Sequence, residues 1–329
     1  MKAAVYTRYG PPDVAQITDV EKLVPTDNEV LIKVGAASVN PADWRLMRGA
    51  PYLFRLLFRL RKPTMTNPGR LGHDVAGEVE AVGRNVTLFQ PGDAVFGWCR
   101  GALAEYACAS ESALIVKPES LTFEEAASVP VAALTALQGL RDKGRIQPGH
   151  KVLINGAAGG VGTFSVQIAK SFGTDVTGVC STRNVDFVRS LGADRVIDYT
   201  QEDFTKSGQR YDLILDNVGN HSLSACKRVL NPKGICVIAG APKNPSGFLL
   251  THMLTARVLS QFVSQRFITF IAKLNREDLT TMCELMATGK VKPVIDKRYR
   301  LSEAAEAIGY LGGHARAKVV IIPESNNKT

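Results

Sequence analysis

The densest chemical signal in the chain is the twenty-residue stretch KVLINGAAGGVGTFSVQIAK, beginning at Lys151. An apolar strand runs into Gly156-Ala157-Ala158-Gly159-Gly160-Val161-Gly162 and out into a helix. Side chains at these positions would keep an anionic group away from the backbone. The helix behind offers unpaired N–H groups and the positive end of its dipole. That combination holds a pyrophosphate, with Ala158, Gly159, Gly160, Val161 and Gly162 as its binding residues. A lone Gly-rich string is weak evidence. One seated between a strand and a helix, with further β/α units behind it, is strong. Ala157 departs from the pattern, standing where the first glycine is usual.

Which dinucleotide binds is decided at the end of the next strand. An NAD site places Asp or Glu about 20 residues on, where it holds the ribose 2′-OH. Here the strand expected over 175–179 runs into Cys180-Ser181-Thr182-Arg183-Asn184, with no carboxylate. Arg183 can pair with a 2′-phosphate while Ser181 donates a hydrogen bond. NADPH is the expected cofactor.

These residues need a scaffold, and the chain reads in parts. Its 329 residues suit two domains. The first hundred-odd form short strands cut by turns. VLIKV alternates at Val30, Ile32 and Val34, and Pro91-Gly92-Asp93 turns before a strand from Ala94. This is a Gly/Pro-turned β domain of the barrel or sandwich type. Near Leu121 the pattern changes. Strands at Lys151–Asn155, 175–179, 195–197, 212–215 and 235–239 alternate with helices at 160–172, 185–191 and 223–230. Such alternation marks a doubly wound parallel sheet. Helical stretches follow from Thr251. A closing strand at Lys318–Ile322 returns to complete the first domain.

The order and spacing of several segments resemble the zinc-independent medium-chain dehydrogenase/reductases, in their quinone oxidoreductase-like branch. The segments are residues 1–6 (MKAAVY), 38–43 (SVNPAD), 72–77 (GHDVAG), 91–95 (PGDAV), 133–136 (ALTA), 156–162, 191–199 (LGADRVIDY) and 211–219 (YDLILDNVG). The resemblance spans nearly the whole chain. It implies a split, mainly β GroES-like catalytic domain at 1–122 and 268–329. A Rossmann domain at 123–267 sits between its halves, with a cleft for NADPH and substrates that are quinones or α,β-unsaturated carbonyls. It places Asn40, Asp43 and Thr135 near the nicotinamide. Asn40 hydrogen-bonds substrate oxygen or carboxamide; Asp43 either takes part or only orders its loop. Tyr52 falls where some relatives have a substrate-facing tyrosine, and Tyr199 matches one near the 2′-phosphate. Asn217, Val218, Ala239 and Gly240 sit at strand ends where dinucleotides lie. Lys318 matches a lysine common in the family, with a surface lysine as the other reading.

Zinc-dependent relatives carry a Cys ligand where this chain has Asn40, and a His ligand in the segment holding His73. Here His73 stands alone, and Cys99 and Cys108 make no four-sulfur site. A metal needs three or four converging ligands, so none is expected and His73 reads as a structural, hydrogen-bonded residue. Without a Lewis acid the acceptor must take a hydride readily. Quinones and enones do, whereas a simple alcohol needs a base or metal to lose its proton.

The remaining features bound the setting. Lys and Arg exceed Asp and Glu by nine, which suits an anionic ligand, a nucleic acid or an acidic membrane. No nucleic-acid motif accompanies the charge, so nucleic acid is the weakest of these. Six scattered cysteines and no apolar signal core point to the cytoplasm and no disulfide framework. Residues 52–62 (YLFRLLFRLRK) and 248–273 are apolar and basic. They read as a lid helix and helices packed on the cleft or a dimer partner, or as a peripheral membrane contact. A homodimer is expected through the edge strand 235–239. Two rivals stay open: a zinc-type alcohol dehydrogenase, and a non-catalytic NADPH-binding sensor or structural protein.

Overall fold

A computed structural model describes residues 1–49, 62–240, 263–313 and 315–324. Tyr52, Arg55 and Arg59, and the part of the second apolar-basic stretch before residue 263, lie outside the described residues. The chain divides into two compact units. One is Met1–Val131, Leu274–Cys283 and Pro293–Thr329; the other is Ala132–Lys273 and Glu284–Lys292.

The first unit begins with β1 (Lys2–Tyr6), β2 (Gln16–Asp19), β3 (Glu29–Val39), β4 (Gly69–Arg70), β5 (Asp74–Val82), β6 (Ala94–Trp98), β7 (Tyr106–Ser110) and β8 (Leu114–Val116). β2, β1 and β4 form a small antiparallel sheet. β3 is the spine of the larger one. Its first half leaves Lys33 exposed between buried Ile32 and Val34, and its last four residues are a continuous buried run. That change marks its passage from a half-solvated face to the unit's interior. It pairs antiparallel with β5 and β7.

Residues 123–131 belong to this unit, not to the dinucleotide-binding domain to which the 123 boundary assigned them. Helix Phe123–Ala127, capped by Thr122 and Glu125, packs on β3, β5 and β6. A Cβ on Gly35 would lie 2.8 Å from the Phe123 ring, so only glycine lets this helix down onto β3.

The second unit is a parallel sheet of β9 (Lys151–Asn155), β10 (Asp175–Cys180), β11 (Arg195–Asp198), β12 (Tyr211–Asp216), β13 (Leu230–Ile238) and β14 (Arg266–Thr269). Their order is β11-β10-β9-β12-β13-β14. β9 is buried from Val152 to Asn155 and β12 from Leu213 to Asp216, as strands covered on both faces must be. Helix Gly160–Ser171 packs on β9 and β10. Leu153, Val179, Ile197, Phe204, Ile214 and Leu230 fill the core beneath the sheet.

Two features differ from the sequence expectation. Residues 235–239 are not an edge, because β14 pairs in parallel with β13 along its outer side. β14 also replaces helix with strand over 266–269.

The chain re-enters the first unit as β15 (Ile295–Arg300) and β16 (Lys318–Ile322). β16 inserts beside β3, giving the order β15-β16-β3-β5-β6-β8. The closing strand thus completes the first unit's sheet as expected. β15, read as part of a helical region, is a charged edge strand (IDKRYR) with no apolar alternation to betray it. All six cysteines are free, and among the described residues no helix is long and apolar enough to cross a membrane.

Candidate functional site

In the second unit, β9 ends at Asn155 and the chain turns through Gly156, whose φ of +77° falls in the left-handed region open to glycine. Gly159 is the N-cap of the following helix and has no side chain with which to cap it. The helix's first N–H groups are therefore left for an outside acceptor. Gly162 is fixed by close approach: a Cβ there would sit 2.1 Å from the Gly156 oxygen. Ala157, at the departure from the usual pattern, is fully buried, and its N–H donates to the Val179 carbonyl of β10. Ala158 lies in the same turn, and Val161 is the second residue of the helix.

The neighbouring strand ends supply the rest of a cradle. Asp216, buried at the end of β12, accepts through Oδ1 from Asn155 Nδ2 (2.8 Å), Val218 N (3.0 Å) and Gly219 N (2.9 Å). It moulds the Asn217–Gly219 turn. Gly240 lies so close that a Cβ would come within 2.0 Å of the Asn217 oxygen. Ala239 and Gly240 both donate to the Asp216 carbonyl. The Asn217 amide has both polar atoms buried and no partner among the described residues. A buried, unsatisfied amide beside a glycine-lined turn fits a carboxamide or hydroxyl-bearing ligand. Together with the open helix N-terminus, it fits a dinucleotide. Thr135 belongs to the same unit, in helix Pro130–Gln138, whose first two residues are counted with the first unit.

At the end of β10 the Ser181 hydroxyl accepts from Asn184 Nδ2 at 3.2 Å, and Arg183 is exposed on the turn Thr182–Asn184. Tyr199 N donates to the Cys180 carbonyl, and the Tyr199 side chain is 61% exposed. Ser181, Arg183 and Tyr199 thus gather at one end of the sheet. Sequence reasoning missed Asp198, paired with Cys180 in the β10–β11 register. It accepts from the Thr200 hydroxyl at 2.8 Å, and hydrogen bonds from Thr182 and Thr200 hold its carboxyl below the ordinary range. A motif search for an acid on β10 passes over one carried by the adjacent strand.

In the first unit, three adjacent strands bring polar residues to one end. β16 opens with Lys318, β5 opens with Asp74, and Ser38 of β3 is paired with Asp74. Lys318 Nζ donates to Asn40 Oδ1 at 2.8 Å and lies 3.2 Å from Asp74 Oδ2. Asp74 Oδ2 also accepts from Ser38 Oγ and Asn40 Nδ2, while its Oδ1 takes Val131 N. Lys318 is 2% exposed, so the surface-lysine reading is wrong. Its ammonium is held by protein acceptors, and the Asn40 amide is engaged at both ends, its Oδ1 accepting from Lys318 and its Nδ2 donating to Asp74.

Asn40 also starts helix Pro41–Met47, and Asp43 at the third helical position accepts from Asn40 N at 2.8 Å. The other oxygen of Asp43 takes Gly72 N at 2.9 Å and meets His73 Nδ1 at 2.9 Å. Asp43 is fully buried, and its contacts order the backbone at Asn40 and Gly72 and the His73 ring. Burial pushes its pKa up, but the His73 charge and the donors around it outweigh this and hold it below the ordinary carboxylate value. Burial pulls His73 down, and the Asp43 carboxylate reverses that, so the ring titrates above an ordinary histidine. Among the described residues no three His, Cys, Asp or Glu side chains converge as metal ligands.

Comparison with known proteins agrees with this architecture. Residues 26–119 match the alcohol dehydrogenase GroES-like domain, and 191–321 match the zinc-binding dehydrogenase family. A chloroplastic quinone-oxidoreductase of Triphysaria versicolor is 36% identical over 344 residues, covering 98% of each chain. A 2-methylene-furan-3-one reductase of Solanum lycopersicum is 35% identical over 98% of this chain and 79% of its own. The structure of the quinone oxidoreductase from Coxiella burnetii superposes with a TM-score of 0.87 at 34% identity, covering 98% of this chain and 99% of that one. With a GroES-like β unit, a Rossmann-type parallel sheet and relatives of this likeness along its length, the chain belongs to the medium-chain dehydrogenase/reductases, in the quinone oxidoreductase branch.

Proposed function

We propose that this chain is an NADPH-dependent oxidoreductase that reduces quinones or α,β-unsaturated carbonyls without a metal. The observation that carries the reading is the second unit's cradle: an uncapped helix N-terminus, a turn open only to glycine, and an orphaned Asn217 amide. The names of the relatives support an NAD(P)H-linked redox role, and the furanone reductase acts on a conjugated carbonyl by its name. When bound, the nicotinamide supplies the hydride. The chain's own residues bind and orient: backbone at residues 158–162 for the pyrophosphate, Ser181, Arg183 and Tyr199 for the 2′-phosphate, Asn217 for a polar group of the cofactor.

The metal-free reading is favoured by the amide of Asn40 and the ammonium of Lys318. Asn40 stands where zinc-dependent relatives carry a Cys ligand, and an ammonium beside its amide oxygen repels a second cation.

The test is a screen of purified protein for NADPH and NADH oxidation with quinones, enones and saturated aldehydes, alongside metal analysis. NADPH-linked turnover of quinones or enones without stoichiometric metal is expected. Stoichiometric zinc with alcohol oxidation would replace the proposal with the alcohol dehydrogenase reading. Tight NADPH binding without turnover would leave the sensor or structural reading.

A further inference from the structure

The acid missing from the end of β10 stands one strand away. Asp198 closes β11, in register with Cys180 of β10. Thr200 folds back onto it, its N–H at 3.0 Å and its hydroxyl at 2.8 Å both donating to Asp198 Oδ1. The Thr200 hydroxyl in turn lies 2.8 Å from that of Thr182, the first residue of the turn after β10. Three side chains from two neighbouring strand ends so form one connected row, all of it inside the second unit.

The protons along that row fix what it shows a ligand. A threonine hydroxyl carries one proton and two lone pairs. The Thr200 proton is on Asp198, so the proton between the two hydroxyl oxygens comes from Thr182. Hydrogen bonds from the Thr182 hydroxyl and from Thr200 hold the Asp198 carboxyl below the ordinary range, which keeps it an acceptor at neutral pH. Whether it ends on Thr200 or on Asp198 itself, the Thr182 proton is directed inward. Thr182 is exposed, and what its oxygen turns outward is lone pairs. It can accept from a hydroxyl but has no proton left for a phosphate oxygen.

The row stands where a dinucleotide's adenosine ribose lies. Ala157 N, in the phosphate loop, donates to the Val179 carbonyl at 3.0 Å, and Val179 is in register with Asn155 at the end of β9. The loop is thus tied to the last turn of chain before Thr182. Thr182 itself falls about 20 residues after Gly162, the distance at which an NAD site places the acid that holds the ribose 2′-OH. Here the carboxylate serves from the adjacent strand, at one hydroxyl's remove.

Resting on the dinucleotide site proposed above, we propose that Thr182 is a specificity residue for NADH, its oxygen accepting the adenosine ribose 2′-hydroxyl. Asp198 and Thr200 are positioning residues, since they act by taking up the Thr182 proton. Arg183, next in the chain and exposed on the same turn, serves the 2′-phosphate of NADPH. Adjacent residues therefore read the two cofactors, and NADH is a second working cofactor beside NADPH.

The test is isothermal titration of the full chain with NADPH and with NADH, in wild type, Thr182→Val and Thr182→Ser. Wild type should bind NADH within about 100-fold of NADPH, the span that charge-assisted bonds to the 2′-phosphate can open. Thr182→Val should raise the preference for NADPH over NADH about fivefold, as expected for loss of one neutral hydrogen bond. Thr182→Ser, which keeps the hydroxyl, should restore the wild-type ratio. A merely structural Thr182 would weaken both cofactors together and leave that ratio unmoved.

An unmoved ratio in Thr182→Val overturns the assignment and leaves the NADPH site standing. So does a wild type whose NADH affinity falls below that of NADPH by more than about 100-fold. A wild type that binds neither cofactor overturns the dinucleotide reading, and the assignment with it. Should Thr182→Val unfold, Asp198→Asn decides: its ratio should move toward NADPH, and an unmoved one overturns the proposal.

Discussion

Lys318 Nζ lies 3.2 Å from Asp74 Oδ2, an ion pair between residues 244 positions apart, with both side chains almost wholly buried. Such a pair is held by the hydrogen bonds around it as much as by its own attraction, since desolvating two charges is costly. Ser38, Asn40 and Val131 provide those bonds. The cluster joins β16 to β3 and β5, making the late strand's return a condition for the first unit's integrity.

Removing one partner should therefore expose the cost. Lys318→Met leaves the Asp74 carboxylate buried without its cation and should destabilise the fold by about 3–5 kcal/mol. Adding Asp74→Asn should recover part of that loss. Urea denaturation of both variants checks it, and a single variant as stable as wild type would refute the coupling.

Much of this was legible in the sequence for local reasons. The β9–Gly-loop–helix unit and the alternating β/α pattern are encoded within spans of twenty residues, where apolar runs and glycines speak directly. The closing strand KVVII was legible because four β-branched apolar residues follow its lysine. β15 was not, since an edge strand of charged residues lacks the alternation that identifies a strand. Nor was the Lys318–Asn40–Asp74 cluster: three sheet neighbours far apart in the chain meet only through topology. Asp216 and Asp198 escaped because their work is on local backbone and hydroxyl groups, which carries no fixed spacing.

Acid stability should report on Asp43. Its folded pKa is depressed, so its contribution is present above the ordinary carboxylate value of about 4 and is lost as pH falls through the lower folded value. Asp43→Asn should be less stable than wild type at pH 6, and the gap should narrow toward pH 3. Denaturant midpoints across that range measure it; a gap of constant size would show that the charge is irrelevant.

The phosphate loop should tolerate no side chain at its tightest point. In Gly162→Ala the new Cβ meets the Gly156 oxygen at 2.1 Å and Ala157 backbone carbons at 2.7 Å, so the turn must shift. Dinucleotide affinity should collapse while the first unit's fold is kept. Isothermal titration with NADPH, paired with circular dichroism, separates the two effects. Undiminished binding would remove the loop from the site.

Cofactor choice rests on Arg183. Truncation in Arg183→Ala should weaken NADPH by about 1.5–3 kcal/mol, the worth of a hydrogen bond to a charged group. NADH should scarcely change. Asp198, on the adjacent strand, faces the same sheet end with its charge intact, so Asp198→Asn should shift the balance the other way, toward NADPH. Equal weakening of both cofactors in Arg183→Ala would assign the arginine to the fold instead.

Assembly is the last expectation, and the outer strand relocates it. β14 pairs with β13 on one side, and on its other side no partner strand is present among the described residues. An unpaired row of N–H and C=O groups invites a second copy. We expect a homodimer joined through Arg266–Thr269 rather than through residues 235–239. Ile268 is half-buried on this strand, so Ile268→Lys places a charge where two copies would meet. Sedimentation at micromolar concentration should give a dimer for wild type and a monomer for the variant. A wild-type monomer, or a variant dimer of unchanged strength, would move the interface away from this edge.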